Sequence, residues 1–191
     1  VTGWPDLPPH GPWLAYTDVI APRFIATLVA AALDHRRRTG VGQHIDASQF
    51  EMALHFLAPE ILDAQVSGRV ATRLGNRSTT AAPHGIYPCK GDDQWCAIAV
   101  DTDHQWQRLV ELLDEPSWAE SMPTAAARGR HHDTIDAQLS DWTSSRTPLE
   151  VMDILTRNGI PAGAVQRSRD LARDPQYRHR GFHRYLDHAE M

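Results

Sequence analysis

Residues 16–51 read YTDVIAPRFIATLVAAALDHRRRTGVGQHIDASQFE, and this stretch decides the fold. Its apolar centre predicts a helix beginning near Ala21, with Asp18 a few residues upstream and Pro22 in the first turn, where a missing N–H is tolerated. Ile20, Phe24, Leu28 and Ala31 make one apolar stripe; Ile25, Val29, Ala32 and Leu33 make another. A helix apolar on most faces is expected to be buried between layers. Arg36, Arg37 and Arg38 bring cations to the negative end of the helix dipole, and Gly40 offers a left-handed cap. After an extended piece, His44–Ala47, the capping-box spacing of Ser48 and Glu51 starts a second helix. Its stripe is Phe50, Leu54, Leu57 and Ile61, and it runs to about Val66 with a bend at Pro59. The first helix needs a sheet to pack on, and residues 1–66 offer too few strands, so they read as part of something larger.

Outward from this stretch, residues 1–17 are a loop broken by Pro5, Pro8, Pro9 and Pro12. Gly68 to Pro83 is a long polar segment without periodicity, and such loops in compact domains are functional or mobile. From His84 the character changes. Gly85–Cys89 and Gln94–Val100 flank Lys90-Gly91-Asp92-Asp93, a hairpin signature. A helix with Trp106, Leu109, Val110 and Leu113 follows Thr102 and Asp103. Further helices are expected over about Thr124–Trp142, with Ile135 and Leu139 on one face, and over Pro148–Arg157, where Thr147 and Glu150 form a cap. Short elements complete the chain: a strand Ala164–Gln166, a helix Asp170–Tyr177 and a strand Phe182–Leu186. The expected class is α/β and α+β, the helices of a larger domain joined to a small α+β domain with a β-hairpin and several helices.

The chain has 191 residues and a formal net charge of −5, with 41% hydrophobic and 23% charged residues. These values exclude a disordered tail, a collagen-like repeat and a polybasic nucleic-acid arm. A turn centred on Gly91-Asp92 sets Cys89 opposite Gln94 and Cys96 opposite Tyr87, so no disulfide is expected; a turn shifted by one residue would face the two cysteines. Unpaired cysteines fit a reducing, cytoplasmic setting. The most apolar run, Val19–Leu33, is interrupted by Pro22 and Arg23, and a spanning helix needs about 20 apolar residues, so no membrane association is expected. The chain opens at Val1 without an initiator Met or a signal-like start, and reads as a fragment.

Asp18 is the first chemical candidate. Near the start of an apolar helix, unpaired backbone N–H groups favour negative charge, and a desolvated carboxylate can attack an activated carbonyl. The plain alternative is a helix N-cap. Histidines 10, 35, 44, 55, 104, 131 and 132 lack recurring ligand spacing; His179, His183 and His188 do space at four and five, but in an expected turn and strand, and no metal is expected. His84, with Gly85 after it, closes the long loop, either as a polar group beside a site or as a turn residue. Arg36–Arg38 reads as a solvated helix end, and Gly40-Val41-Gly42 as a cap and turn without a dinucleotide fingerprint.

Several segments together resemble one family. Gly3-Trp4-Pro5-Asp6-Leu7-Pro8-Pro9, Tyr16-Thr17-Asp18, Ala31–Arg36, Thr39–Gln43, Asp46–Glu51, Arg73–Asn76, Ala82–Cys89, Trp106 and Gly159–Gly163 are similar, in this order, to the class III CoA-transferases of the CaiB/BaiF group. The most specific piece is R-x-x-x-G-x-G-Q-x-x-D-x-S, from Arg36 to Ser48. The resemblance implies that Asp18 is the nucleophile. Its carboxylate would attack an acyl-CoA thioester to give a mixed anhydride. The CoA thiolate would then form an aspartyl-CoA thioester, and an incoming carboxylic acid would reverse the sequence. Coenzyme A thioester is on this view a substrate, with no permanently bound cofactor.

The same resemblance implies that 1–67 is the helical part of the large catalytic domain, 68–83 a linking loop, 84–166 the small domain and 167–191 a return segment. It implies a C-terminal portion of a longer protein whose CoA-contacting residues lie mostly elsewhere, and an interlocked homodimer. Arg77–Pro83 stands where some family transferases carry a glycine-rich loop, leaving the acyl group and acceptor open. Where the family's racemases place a Glu, this chain has Thr102. That weakens, without removing, an α-methylacyl-CoA racemase alternative. A non-catalytic pairing half is the alternative from another class.

Overall fold

The computed structural model describes residues 2–11, 14–184 and 186–187. The chain forms two compact units, Val1–Gly75 and Asn76–Met191.

In the first unit, helix α1 spans Tyr16–Thr39. It starts five residues earlier than the proline signal indicates: Pro22 lies inside the helix, and Val19 N–H already bonds to the Ala15 carbonyl. Proline removes one backbone donor, and here the first turn forms regardless. Asp18 is therefore inside the helix and not upstream of it. Gly40, at φ 77°, donates its N–H to Arg36 O and ends the helix as expected. The expected burial does not hold within this chain. Only Ile20 and Ala21 are buried, while Val19, Ile25, Leu28, Val29 and Leu33 are 40–47% exposed. The reason is architectural, since this unit supplies no strand among its described residues to cover them. At 24 residues, α1 is long and apolar enough to cross a membrane by length and composition alone, a property that apolar core helices of soluble proteins share.

The second predicted helix is two. Ser48 caps α2 (Gln49–Leu54) by accepting from Glu51 N–H, and α3 covers Ala58–Ser67, with a 3-10 turn at His55–Leu57 between them. Pro59 sits in the first turn of α3. Lacking the N–H that would continue the ladder, it breaks the helix where a bend was expected. Phe24 of α1 stacks on His55 and meets Phe56 edge-on, joining α1 to the turn. The proline-rich start is tied back by Gly75 N–H to Gly3 O at 2.9 Å and by Arg73 Nε to Trp4 O at 3.1 Å. Gly75 has φ +61°, and a Cβ there would lie 2.5 Å from the Trp4 ring, so this crossing requires glycine.

The second unit is built on an antiparallel sheet in the order β1 (His84–Pro88), β2 (Trp95–Ala99), β3 (Ala162–Ala164). Tyr87 pairs with Cys96, and Cys89 N–H bonds to Gln94 O, the register given by a Gly91-Asp92 turn. Both cysteines are free and buried. Burial lifts the Cys96 thiol to about 11, reinforced by its neighbour Cys89.

Helices α4 (Asp103–Leu112) and α7 (Pro148–Arg157) both begin in capping boxes, Thr102 with Gln105 and Thr147 with Glu150. The helix expected over 124–142 is divided into α5 (Ala125–Gly129) and α6 (His132–Ser144). His131 N–H closes onto Arg128 O as a tight turn that interrupts the α ladder. Tyr87, Cys96, Ile98, Val100, Trp106, Leu109, Ile135, Leu139, Val151, Leu155 and Ile160 make one core.

The last elements differ from expectation. β3 precedes its predicted position by two residues, and the helix near 170–177 is split into α8 (Ser168–Leu171) and α9 (Pro175–His179) because Asp174 accepts from Gln176 and Tyr177 N–H and starts a new cap. No strand forms among the described residues of 182–186, and Tyr185 lies outside them. Phe182 instead stacks on Tyr177 with ring centroids 4.8 Å apart.

Candidate functional site

Asp18 is the third residue of α1, in the first turn, and the N-cap position is Ala15, which has no side-chain cap. Asp18 is thus not the helix cap that spacing alone allows. First-turn N–H groups have no partner within the helix, so the carboxylate lies at the positive end of the helix dipole. Its side chain is exposed in this chain. Gln49, the first residue of α2, reaches across and donates Nε2–H to Asp18 Oδ1. The Ser48 cap fixes where α2 starts, and so where Gln49 projects. Among the described residues no Lys, Arg or His lies within ion-pair distance of Asp18. One oxygen is thereby oriented by a neutral donor, and the charge is not neutralised. The carboxylate is thus oriented for nucleophilic attack, while the desolvation expected from the sequence is not supplied within this chain.

His84 and Gly85 belong to the second unit, at the start of β1. His84 Nδ1 lies 2.6 Å from Asn76 O. A carbonyl only accepts, so Nδ1–H is the donor, and among the described residues Nε2 has no hydrogen-bond partner. A Cβ on Gly85 would meet the Tyr87 hydroxyl at 3.0 Å. The segment before His84 has no regular structure, yet it is anchored. Arg77 pairs with Asp133 at 2.5 Å and Asp136 at 2.8 Å. Arg128, fully buried over the Trp106 ring, donates Nε–H to Ala82 O at 2.6 Å and pairs with Asp103 at 2.9 Å. Tyr87 donates its hydroxyl to Asp136 at 2.8 Å.

Burial, then the Asp136 carboxylate, push the Tyr87 phenol well above its ordinary range. A raised phenol stabilises the fold fully below the unfolded value of about 10, and this contribution is lost as pH climbs towards the folded value. Tyr87→Phe is expected to cost about 1–2 kcal/mol at pH 8. It is also expected to flatten the alkaline loss of stability between about pH 8 and 10.5. Urea unfolding of both proteins at the two pH values tests this; parallel losses would contradict it.

The whole chain, residues 1–191, matches the model of CoA-transferase family III. The chain belongs to CoA-transferase family III. This family III chain is 34% identical over 175 residues to the probable CoA-transferase Rv1866 of Mycobacterium tuberculosis, an alignment covering 91% of the chain and 22% of that protein. It is 30% identical over 179 residues to the succinyl-CoA–D-citramalate CoA-transferase of Chloroflexus aurantiacus, covering 93% of the chain and 44% of that relative. A CaiB/BaiF family protein from Brucella suis superposes with a TM-score of 0.81 at 30% identity, over 95% of this chain and 48% of that one. The family III chain therefore spans between about a fifth and a half of the length of these proteins, and over the matched part its mixed helix-and-sheet fold is that of the Brucella suis protein.

Other candidates do not gather into a site. Among the described residues no group of three or more His, Cys, Asp or Glu is placed to hold a metal ion; His188 lies outside them. Arg36–Arg38 are exposed, with Arg38 paired to Asp34 at 2.9 Å. Three residues escaped the sequence reading. Gln49 meets Asp18 across 31 positions, beyond any local pattern. Asp136 carried a usable signal, since Asp133 and Asp136 share a helix face at i,i+3 spacing. Arg128 carried none.

Proposed function

We propose that this chain supplies the nucleophilic aspartate of a CoA-transferase that moves CoA from an acyl-CoA to a carboxylic acid. The observation that carries this reading is Asp18 itself: a first-turn carboxylate, one oxygen held by an amide, with no cation against it among the described residues. Its attack on the thioester carbonyl yields the mixed anhydride and CoA thiolate. The thiolate then takes the aspartyl group as a thioester, and the acceptor acid reverses both steps. The Chloroflexus aurantiacus relative is named for succinyl-CoA and D-citramalate, and a Rhodopseudomonas palustris relative, 28% identical to this chain, for formyl-CoA and oxalate, which supports small organic acids as donor acyl group and acceptor.

His84 and Gly85 are read as substrate-facing residues of the small domain, with Nε2 of His84 available for a hydrogen bond. The division into 1–67, 68–83, 84–166 and 167–191, a homodimer, CoA contacts supplied mainly by sequence outside this chain, and a cytoplasmic, non-membrane setting belong to the same proposal. Asp18 and Arg23 within α1 and the free thiols Cys89 and Cys96 support that setting. The racemase alternative is disfavoured by Thr102, whose hydroxyl is committed to capping α4 through Gln105 N–H.

The test is isotope exchange with the chain and the polypeptide that completes it. A 13C-labelled free acid is expected to enter the acyl-CoA pool with no deuterium uptake at the α-carbon from heavy water. Deuterium uptake without acid exchange would make the protein a racemase.

A further inference from the structure

Any aspartyl nucleophile must serve twice, as the attacking oxygen and later as the electrophilic carbonyl. Gln49 is placed for the second role. Its Nε2–H group donates to Asp18 Oδ1, and Gln49 is itself exposed at the first position of α2, outside the apolar core. Resting on the nucleophile reading above, we infer that Gln49 positions Asp18 and stabilises the oxyanion that forms on Oδ1.

The chemistry follows the two oxygens. Oδ2 attacks the thioester carbonyl, the C–S bond breaks and its electron pair leaves with the thiolate. The thiolate then attacks Cγ of Asp18. Negative charge builds on Oδ1, after which the Cγ–Oδ2 bond breaks and its electron pair departs with the acyl carboxylate. When the acceptor acid attacks the aspartyl thioester, charge builds on Oδ1 again. Oδ1 never leaves the enzyme, and it is the atom Gln49 holds. An amide suits this position better than a cation. A lysine or arginine would neutralise the resting carboxylate and weaken its attack, whereas a neutral donor orients it and strengthens as charge develops. Aimed donors at a developing oxyanion contribute about 10²–10³ in rate.

The distinguishing feature is which step slows. Attack at Cγ depends on Gln49; acyl-CoA binding does not. The protein carrying this chain, with the polypeptide that completes it, is mixed with acyl-CoA without acceptor, acid-quenched at intervals and weighed intact. Parent, Gln49→Ala, Gln49→Met and Asp18→Asn are compared. Gln49→Met keeps the length of the side chain but has no donor and adds no charge beside Asp18. We expect the CoA adduct on Asp18 to appear about 10²-fold more slowly in both Gln49 variants. Overall kcat should fall similarly, KM should stay within about threefold, and thermal melting should be unchanged, because Gln49 contributes nothing to the core. Adduct formation at the parental rate in both Gln49 variants, with Asp18→Asn silent, would overturn the Gln49 assignment alone. A CoA adduct in Asp18→Asn would remove the nucleophile reading and this inference with it.

Discussion

Asp18→Asn is expected to lower CoA transfer by at least about 10⁴-fold, the scale seen when a covalent nucleophile is removed. The asparagine side chain keeps the shape and can still accept from Gln49 through its carbonyl oxygen, but it has no charged oxygen to attack the thioester. The fold should not suffer. Asp18 is exposed, and its contribution through the helix dipole is about 0.3–1 kcal/mol. Steady-state transfer between an acyl-CoA and a labelled acid measures the effect, with thermal melting as the control. A variant that transfers within about tenfold of the parent would contradict the assignment of Asp18, because no other residue is asked to form the covalent bond.

The largest stability effect is expected at Arg128. Its guanidinium is fully buried, donates to the Ala82 and Pro123 carbonyls, pairs with Asp103 and lies 5.2 Å from the centre of the Trp106 ring. Arg128→Ala leaves two carbonyls without this donor and opens a cavity beneath Trp106. Asp103 is half exposed and stays solvated when its partner is lost, so the cost lies in the two charge-assisted hydrogen bonds and the cavity, about 2–4 kcal/mol together. The second unit's urea midpoint, followed by tryptophan fluorescence, should fall accordingly. Arg128→Lys should recover only part of the loss, because an ammonium cannot reproduce the planar fork that reaches both carbonyls. A cost below about 1 kcal/mol for Arg128→Ala would show that Trp106 and the Ala82 segment are held by other contacts.

The legible part of the fold is local. Thr102 with Gln105 and Thr147 with Glu150 start α4 and α7 where the capping residues stand. The Gly91-Asp92 turn gives the hairpin register down to Cys96 opposite Tyr87. These features are set within a few residues, by side-chain bonds to backbone and by alternation. Less legible are breaks decided by competition. Pro59 interrupts a helix that its stripe would continue, and Pro22 fails to stop α1 from starting early. Burial of α1 was not legible at all, because an apolar stripe states what a helix needs and not what covers it.

The site divides the same way. Asp18 stands out by its place before an apolar run. Gln49 is brought to it only by the packing of α2 on α1. Arg77, Asp133, Asp136 and Tyr87 form a network across the second unit, and of its distances in sequence only Asp133–Asp136 follows a helical period.

The central claim is that Asp18 becomes covalently acylated during turnover. The most direct measurement is peptide mass spectrometry after incubation with an acyl-CoA and hydroxylamine, using this chain both alone and joined by the polypeptide that completes it. The account predicts a hydroxamate on the peptide containing Asp18, dependent on acyl-CoA and lost in Asp18→Ala. An unmodified Asp18 peptide in both arrangements, under conditions where CoA transfer proceeds, would contradict it.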